Sequence, residues 1–276
     1  MDEKIQKQFY FGVVEFSPDG SLIAAGEFGW ADRPRDVSKE EWEKRAPWYE
    51  IALWDVKERR IRTRLKGHHI VGPSELRFDP EGKLLASVGA GEIKIWRVQD
   101  AQLVSTIQYD ADAIAFTPDA KALIAIGPKS SLKAWDTSSW RERWSTNFSE
   151  ETDGTSLAVS PGGKLALVGT RDGEIVICDL QKALEIIRLK AHLDGVRHVL
   201  FSRSGKWAAS AGKDKRIVIW TTDRWEPWRV LDGHTDEVVS CIFGPDEKIL
   251  ISVGLDKTIR FWDTATGAPI HGKRGP

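Results

Sequence analysis

The sequence predicts an all-β fold built from six copies of one four-stranded antiparallel unit, and three observations predict it. An apolar residue that closes one run and opens a turn recurs at Phe16, Phe78, Phe116, Val159, Phe201 and Phe243. A second landmark follows each of them, at Trp54, Trp96, Trp135, Cys178, Trp220 and Trp262. Helical periodicity is nearly absent between these landmarks. A fixed period of about 42 residues marks one supersecondary unit copied along the chain, and such units bury their faces only by stacking or by closing into a ring.

Within a unit, three apolar or β-branched runs are broken by turn residues, as in Val238 to Phe243, Ile249 to Val253 and Thr258 to Trp262. These read as strands a, b and c. The a–b turn is Ser17-Pro-Asp-Gly, with relatives beginning at Asp79, Thr117 and Ser160, and its Pro is already near the φ that a turn needs. A fourth strand, d, follows the Trp, as at Arg60 to Leu65 or Leu184 to Leu189. Its charges suit an outer edge that must resist pairing with other chains.

Six such units account for nearly all 276 residues and imply one domain over 1–276, with landmarks near 9–54, 70–96, 110–135, 153–178, 195–220 and 237–262. Forty Lys and Arg against 41 Asp and Glu offer no general attraction to nucleic acid or anionic membranes, so neither is expected as a partner. The first residues lack an apolar signal core and no stretch approaches a spanning helix, so a soluble, cytoplasmic chain is expected. Cys178 and Cys241 each sit in an apolar run and are expected as buried free thiols; metal-ligand spacing is absent, and no metal or cofactor is expected. Asn147-Phe-Ser is formally a glycosylation acceptor, which means little without a secretory route.

Gly233-His234, Ser252, Gly254, Leu255-Asp256 and the run Ile259 to Asp263 resemble a WD40 repeat, and the resemblance covers six units and most of the chain. It implies a six-bladed β-propeller of four-stranded antiparallel blades. In that family a His before strand a, a Ser or Thr on b, an Asp in the b–c turn and the Trp on c form a hydrogen-bonded network. By resemblance the network is complete twice, as His192, Ser210, Asp214, Trp220 and as His234, Ser252, Asp256, Trp262. Unit two keeps Trp96 and offers His68 or His69, but its b–c turn is one residue short and lacks the Asp. Unit three lacks both His and Asp; unit four keeps Asp172, with Cys178 replacing the Trp. Those blades are expected to rely on apolar packing between neighbours. The last blade's outer strand is left to the N-terminal residues near Ile5 to Phe9 or to the tail around Pro269 to His271.

The first unit departs from the period: Phe16 to Trp54 spans about 19 residues more than Phe201 to Trp220. The extra residues, about 28–48, fall in the b–c loop, where Ser38 and Glu41 form a capping box that predicts a short helix over 39–45 anchored by Trp42. The resemblance places b–c turns and the loops before strand a on one face, called the top, where partners bind. Trp30, Trp42 and Trp48, with Tyr49, either tuck the insertion onto blades one and two or grip a partner. Counting back from each landmark adds Tyr10, Asp110, Asp112, Asp153, Arg171, Arg197, Lys213, Glu237 and Leu255 to that face. They read as an acidic arc on blades three and four and a basic arc on blades four and five, or as an ordinary mixed surface.

Trp140 with Trp144, and Trp225 with Trp228, follow strand c in units three and five and read as packing of the c–d turn or as a second binding surface. No nucleophile elbow, phosphate loop or metalloprotease motif occurs, and His198 reads as a packed strand residue. The expected function is a non-enzymatic scaffold that binds a protein or peptide on the top face. A monomer is expected, with a dimer if the ring fails to close. The alternatives are an enzyme or small-ligand binder using the central channel, or the sensor or docking module of a larger signalling protein.

Overall fold

The computed structural model describes residues 8–30, 49–68, 72–148 and 152–270. Their strands form six antiparallel sheets, five of four strands and one of three, and the fold is all-β with WD40-type blades. The chain falls into two compact units, Met1–Phe116 and Thr117–Pro276.

The first unit holds sheet β1 (Gln8–Phe16), β2 (Leu22–Trp30), β3 (Tyr49–Asp55), β4 (Arg60–His68) and sheet β5 (Glu75–Phe78), β6 (Leu84–Gly89), β7 (Glu92–Arg97), β8 (Gln102–Gln108). It ends with β9 (Ala113–Phe116). The second unit opens with β10 (Ala122–Gly127), β11 (Ser131–Asp136) and β12 (Glu142–Asn147). Blade four follows as β13 (Gly154–Val159), β14 (Leu165–Thr170), β15 (Glu174–Asp179) and β16 (Leu184–Lys190). Blade five is β17 (Val196–Phe201), β18 (Trp207–Gly212), β19 (Ile217–Thr221) and β20 (Pro227–Leu231); blade six is β21 (Val238–Phe243), β22 (Ile249–Gly254) and β23 (Ile259–Asp263).

The a–b turns are alike because the chain needs a left-handed residue at their fourth position. Gly20, Gly82, Gly163 and Gly205 take φ of 67 to 72°, and Ala120 and Glu247 adopt 56° and 59° in the same slot. Each turn closes by an N–H from the fourth residue to the first carbonyl, as Gly20 to Ser17 at 2.8 Å and Ala120 to Thr117 at 2.9 Å. The short b–c turn of blade two is a two-residue hairpin, with Gly89 paired to Glu92 and positive φ at Ala90 and Gly91, so no position is left for an Asp.

Blades meet face to face, which is why strands b and c are apolar on both sides. Blade five is clamped twice. Its Val196, Val199, Val218 and Trp220 pack on Leu167, Ile175 and Ile177 of blade four. Its Ala209, Ala211, Ile217 and Ile219 pack on Val238, Cys241, Leu250 and Trp262 of blade six. In the first unit Leu22, Ile51, Leu53 and Leu65 meet Leu76, Phe78, Leu85 and Trp96 in the same way. The corresponding residues of blade six lie open: Ile259 is 64% and Phe261 43% exposed, against 0% and 1% for Ile217 and Ile219.

One expectation is corrected in blade one. Strand β2 runs on through Trp30, with Phe28 opposite Tyr49 and Trp30 opposite Gln8, so residues 28–30 continue the sheet rather than beginning the insertion. The extension is held at its base by Glu27, which ion-pairs with Arg64, itself 3.6 Å from Glu50. The helix expected over 39–45, and Trp42 and Trp48 with it, lie outside the described residues. As to the last blade's outer strand, Phe9 is paired with Gly29 inside blade one. In blade six Pro269 bridges Trp262, and the Ile270 N–H donates to the Phe261 carbonyl at 2.7 Å. Pro227 stands opposite Trp220 in the same register, so the tail starts where a strand d starts.

Glycine permits the close approach of blades at Gly169, where a Cβ would lie 2.5 Å from Val196 Cγ1. Gly169→Ala is expected to destabilise the second unit by about 1–3 kcal/mol in urea unfolding, the usual cost of overpacking. Gly162→Ala, where a Cβ meets nothing within 4 Å, should leave the midpoint within about 0.5 kcal/mol.

Candidate partner-binding face

The face that carries the b–c turns is organised from inside each blade. In blade five the Ser210 hydroxyl accepts the Trp220 indole N–H at 3.1 Å and lies 2.8 Å from His192 Nε2, while His192 Nδ1 meets Asp214 at 2.8 Å. Blade six repeats this with Trp262 to Ser252 at 2.8 Å, His234 Nε2 to Ser252 at 2.7 Å and His234 Nδ1 to Asp256 at 2.8 Å. Burial works against the Asp256 carboxylate, yet hydrogen bonds from Thr258, the Thr235 N–H and His234 outweigh it and hold the acid below its usual range. In blade two it is His68 that enters, 2.8 Å from Ser87, which also accepts the Trp96 N–H at 2.8 Å.

The remaining blades depart from this set. Blade four keeps Asp172, which accepts from Thr170 at 2.5 Å and from Thr152 at 3.1 Å. Its Cys178 is buried, and burial raises the thiol far above its ordinary value. In blades three and one the register places Ala125 and Ala25 where Ser210 stands.

These internal bonds reach the surface loops. The carboxylate that meets the His also accepts the next backbone N–H: Leu193 N–H donates to Asp214 at 3.1 Å and Thr235 N–H to Asp256 at 3.0 Å. The residue before each turn Asp donates its N–H to the loop ahead of strand a: Arg171 to Asp153 at 3.0 Å, Lys213 to Gly195 at 2.9 Å and Leu255 to Glu237 at 2.8 Å. The b–c turns and the loops before strand a therefore share one face in blades four, five and six.

The charges on that face pair within and between blades. Arg197 binds Glu237 at 2.5 Å, and Arg171 lies 3.5 Å from Asp153, which also receives the Lys129 N–H at 2.8 Å. Acidic and basic groups stand here in neighbouring pairs. Asp110 and Asp112 are exposed and Lys213 is half-buried. Tyr10 lies in β1 opposite Phe28, Trp30 ends β2, and Tyr49 opens β3 opposite His68. Leu255 is 51% exposed, and Leu193, which the sequence does not single out, is 84% exposed. A Leu beside a network His reads as core from sequence; the hydrogen bond that turns its backbone outward is visible only in three dimensions.

Polar groups also converge on the first strands of the first unit. Glu75 on β5 accepts the Ile114 N–H at 2.7 Å and ion-pairs with Arg77 at 2.8 Å, and Arg77 lies 3.5 Å from Glu15 on β1. Burial pushes the Glu75 carboxyl up to about 7 against the pull of Arg77 and the Ile114 N–H, with Glu15 and Asp112 adding to the rise. Every group in the cluster has a role inside the fold. His198 Nδ1 accepts the Cys241 N–H at 3.4 Å, and burial pushes the Cys241 thiol up to about 12. Among the described residues no cluster could hold a metal ion, and no helix is long and apolar enough to cross a membrane.

A four-stranded blade in which a Ser hydroxyl joins a loop His to a strand-c Trp defines a repeat-built class of β protein. A family model described as WD domain, G-beta repeat matches residues 59–97, 184–221 and 225–263, the stretches that contain Trp96, Trp220 and Trp262. Three WD40 repeats are thus present in the chain, and they support a WD40-repeat family. It is similar to WD repeat-containing protein VIP3 of Arabidopsis thaliana, 26% identical over 55% of this chain and 52% of that protein. It is also similar to Protein groucho of Drosophila melanogaster, 25% over 75% of this chain and 26% of that one. Transducin-like enhancer protein 2 of Mus musculus is 29% identical over 42% of this chain and 16% of its own length. The chain spans about half or less of these curated relatives.

Ser210→Ala leaves the His192 and Trp220 nitrogens without their shared partner and is expected to cost about 2 kcal/mol in chemical unfolding, the scale of an unsatisfied buried group. The Glu75 carboxyl rises from an ordinary 4.5 to about 7 in the fold. Folding therefore favours its protonated form, so its contribution is fullest below 4.5 and declines as the pH climbs to about 7. Glu75→Gln should flatten that part of the stability profile, measured by urea midpoints from about pH 4 to 8.

Proposed function

We propose that this chain is a non-enzymatic platform that binds a protein or peptide on the face carrying the b–c turns and the loops before strand a. WD40-repeat proteins generally act as protein-interaction scaffolds, which supports the coarse reading. The observation that carries the finer one is the pair Leu193 and Leu255, 84% and 51% exposed. Both stand on backbone that the network carboxylates and cross-loop hydrogen bonds hold in place. Rigid, exposed apolar side chains beside charged pairs suit an interface core with a polar rim. Arg197, Glu237, Arg171, Asp153 and Lys213 form that rim in the second unit. In the first unit, Tyr10, Asp110, Asp112 and the insertion that carries Trp30, Trp42, Trp48 and Tyr49 are the residues proposed for partner binding.

The combined variant Leu193→Ser with Leu255→Ser changes exposed side chains and should shift stability by no more than about 0.5 kcal/mol. It is expected to lose at least tenfold of the retention of a partner captured from native extract. A second variant, with residues 30–48 replaced by a short turn, is expected to lose the same partner. Undiminished capture by both would remove this face from the reading.

A further inference from the structure

A blade has two flat sides, and each is apolar where it meets a neighbour. In blade five the side toward blade six carries Leu200, Ala209, Ala211, Ile217 and Ile219, and it receives Cys241, Leu250 and Trp262, with Phe243 beside them. Register finds the same positions on blades six and one. On blade six, Ile242 stands opposite Ile251 as Leu200 stands opposite Ala209, and Ile259 opposite Val253 as Ile217 opposite Ala211. On blade one, Val14, Phe16 and Trp54 take the places of Cys241, Phe243 and Trp262.

Both of these sides lie open. Ile242 is 61% exposed and, with the exposed Val253, Ile259 and Phe261, makes one apolar surface on blade six. Val14 is 53% and Trp54 38% exposed, whereas Cys241 and Trp262 in the same places are 3% and 0%. Phe16 is exposed as well. Single apolar side chains at a surface are ordinary, but a whole sheet side of them marks a contact. None of these positions carries a charge, so joining the two sides strands no ion away from water.

The two sides are the two halves of one contact. Blade six offers the Ile-bearing half that blade five uses, and blade one offers the Trp-bearing half that blade six uses. A chain with both halves open is equipped for head-to-tail association, in which one surface of each copy meets a different surface of the next. We infer that the open side of blade six is covered by the open side of blade one in a second copy of this chain, repeating the contact between blades five and six. Ile259 and Phe261 of one copy receive Trp54 of the other, as Ile217 and Ile219 receive Trp262. The contact uses none of the residues proposed for partner binding, and it can fail or stand without that reading.

The test is sedimentation equilibrium of the purified chain from about 1 to 100 μM, since association follows mass action. The weight-average mass is expected to rise with concentration to at least that of a dimer. Ile242→Asp with Ile259→Asp blocks one half, and Val14→Asp with Phe16→Asp blocks the other; all four positions are exposed, so both variants should keep the wild-type circular dichroism. Each variant alone is expected to remain monomeric. Their equimolar mixture, which holds one intact half of each kind, is expected to form a dimer and nothing larger. If a charged variant fails to fold, Ser replaces Asp at the same two positions and should weaken association by about tenfold or more. A wild-type chain that stays monomeric throughout overturns the inference, and this is also the outcome if blade one of the same chain is the occupant. Association that survives in either variant alone, or a mixture that fails to combine, overturns it equally.

Discussion

In three of the blades one serine hydroxyl ties the parts together. In blades two, five and six it accepts the indole N–H of the strand-c Trp and meets the His that enters ahead of strand a. A single atom on strand b therefore ties strand c to the preceding loop in a dry interior, where a hydrogen bond is strong and an unmade one is costly. The Asp of the b–c turn completes the set from the other side of the His and fixes the next backbone N–H as well. In blades five and six this hub connects the loops on that face to the blade's core.

Packing between blades supplies the second constraint, and it is directional. Leu and Ile on one face of a blade receive the Trp-bearing face of the next, as Ile177 receives Trp220 and Ile219 receives Trp262. The arrangement explains why strands b and c carry no solvent-facing side, and why residues at the same register turn outward on the described face of blade six. It also explains how blade four survives with Cys178 in place of Trp: a buried thiol fills the slot, and Thr170 and Thr152 take the Asp172 carboxylate that no His reaches.

Much of this was legible in the sequence because it repeats. The turn with a left-handed fourth residue is written as Gly in four units, and Ala120 and Glu247 follow the same backbone because the flanking strands impose it. The His, Ser, Asp and Trp positions are legible at a fixed spacing. What was not legible depends on neighbours that no spacing encodes. His68 and His69 are equivalent until the register of β4 is known. Strand β2 continues to Trp30 because Tyr49 and Gln8 are there to pair with it, whereas Gly26 and Gly29 read as loop. The charged residues of the binding face were legible one by one; their pairing, Arg197 with Glu237 between blades and Arg171 with Asp153 within blade four, depends on side-chain reach.

Blade three concentrates the losses. It lacks the His, the Ser and the turn Asp, and the two side chains that would fill its forward face are alanines at 122 and 134. Smaller side chains there give less apolar burial, yet Ala122 and Ala134 stay buried, at 5% and 1% exposed. The turn at 128–130 is fastened to blade four, by the Lys129 N–H on Asp153 at 2.8 Å and the Ser130 hydroxyl on the Thr152 carbonyl at 2.9 Å. The neighbouring blade thus supplies from outside a fastening that blade three's own residues do not provide.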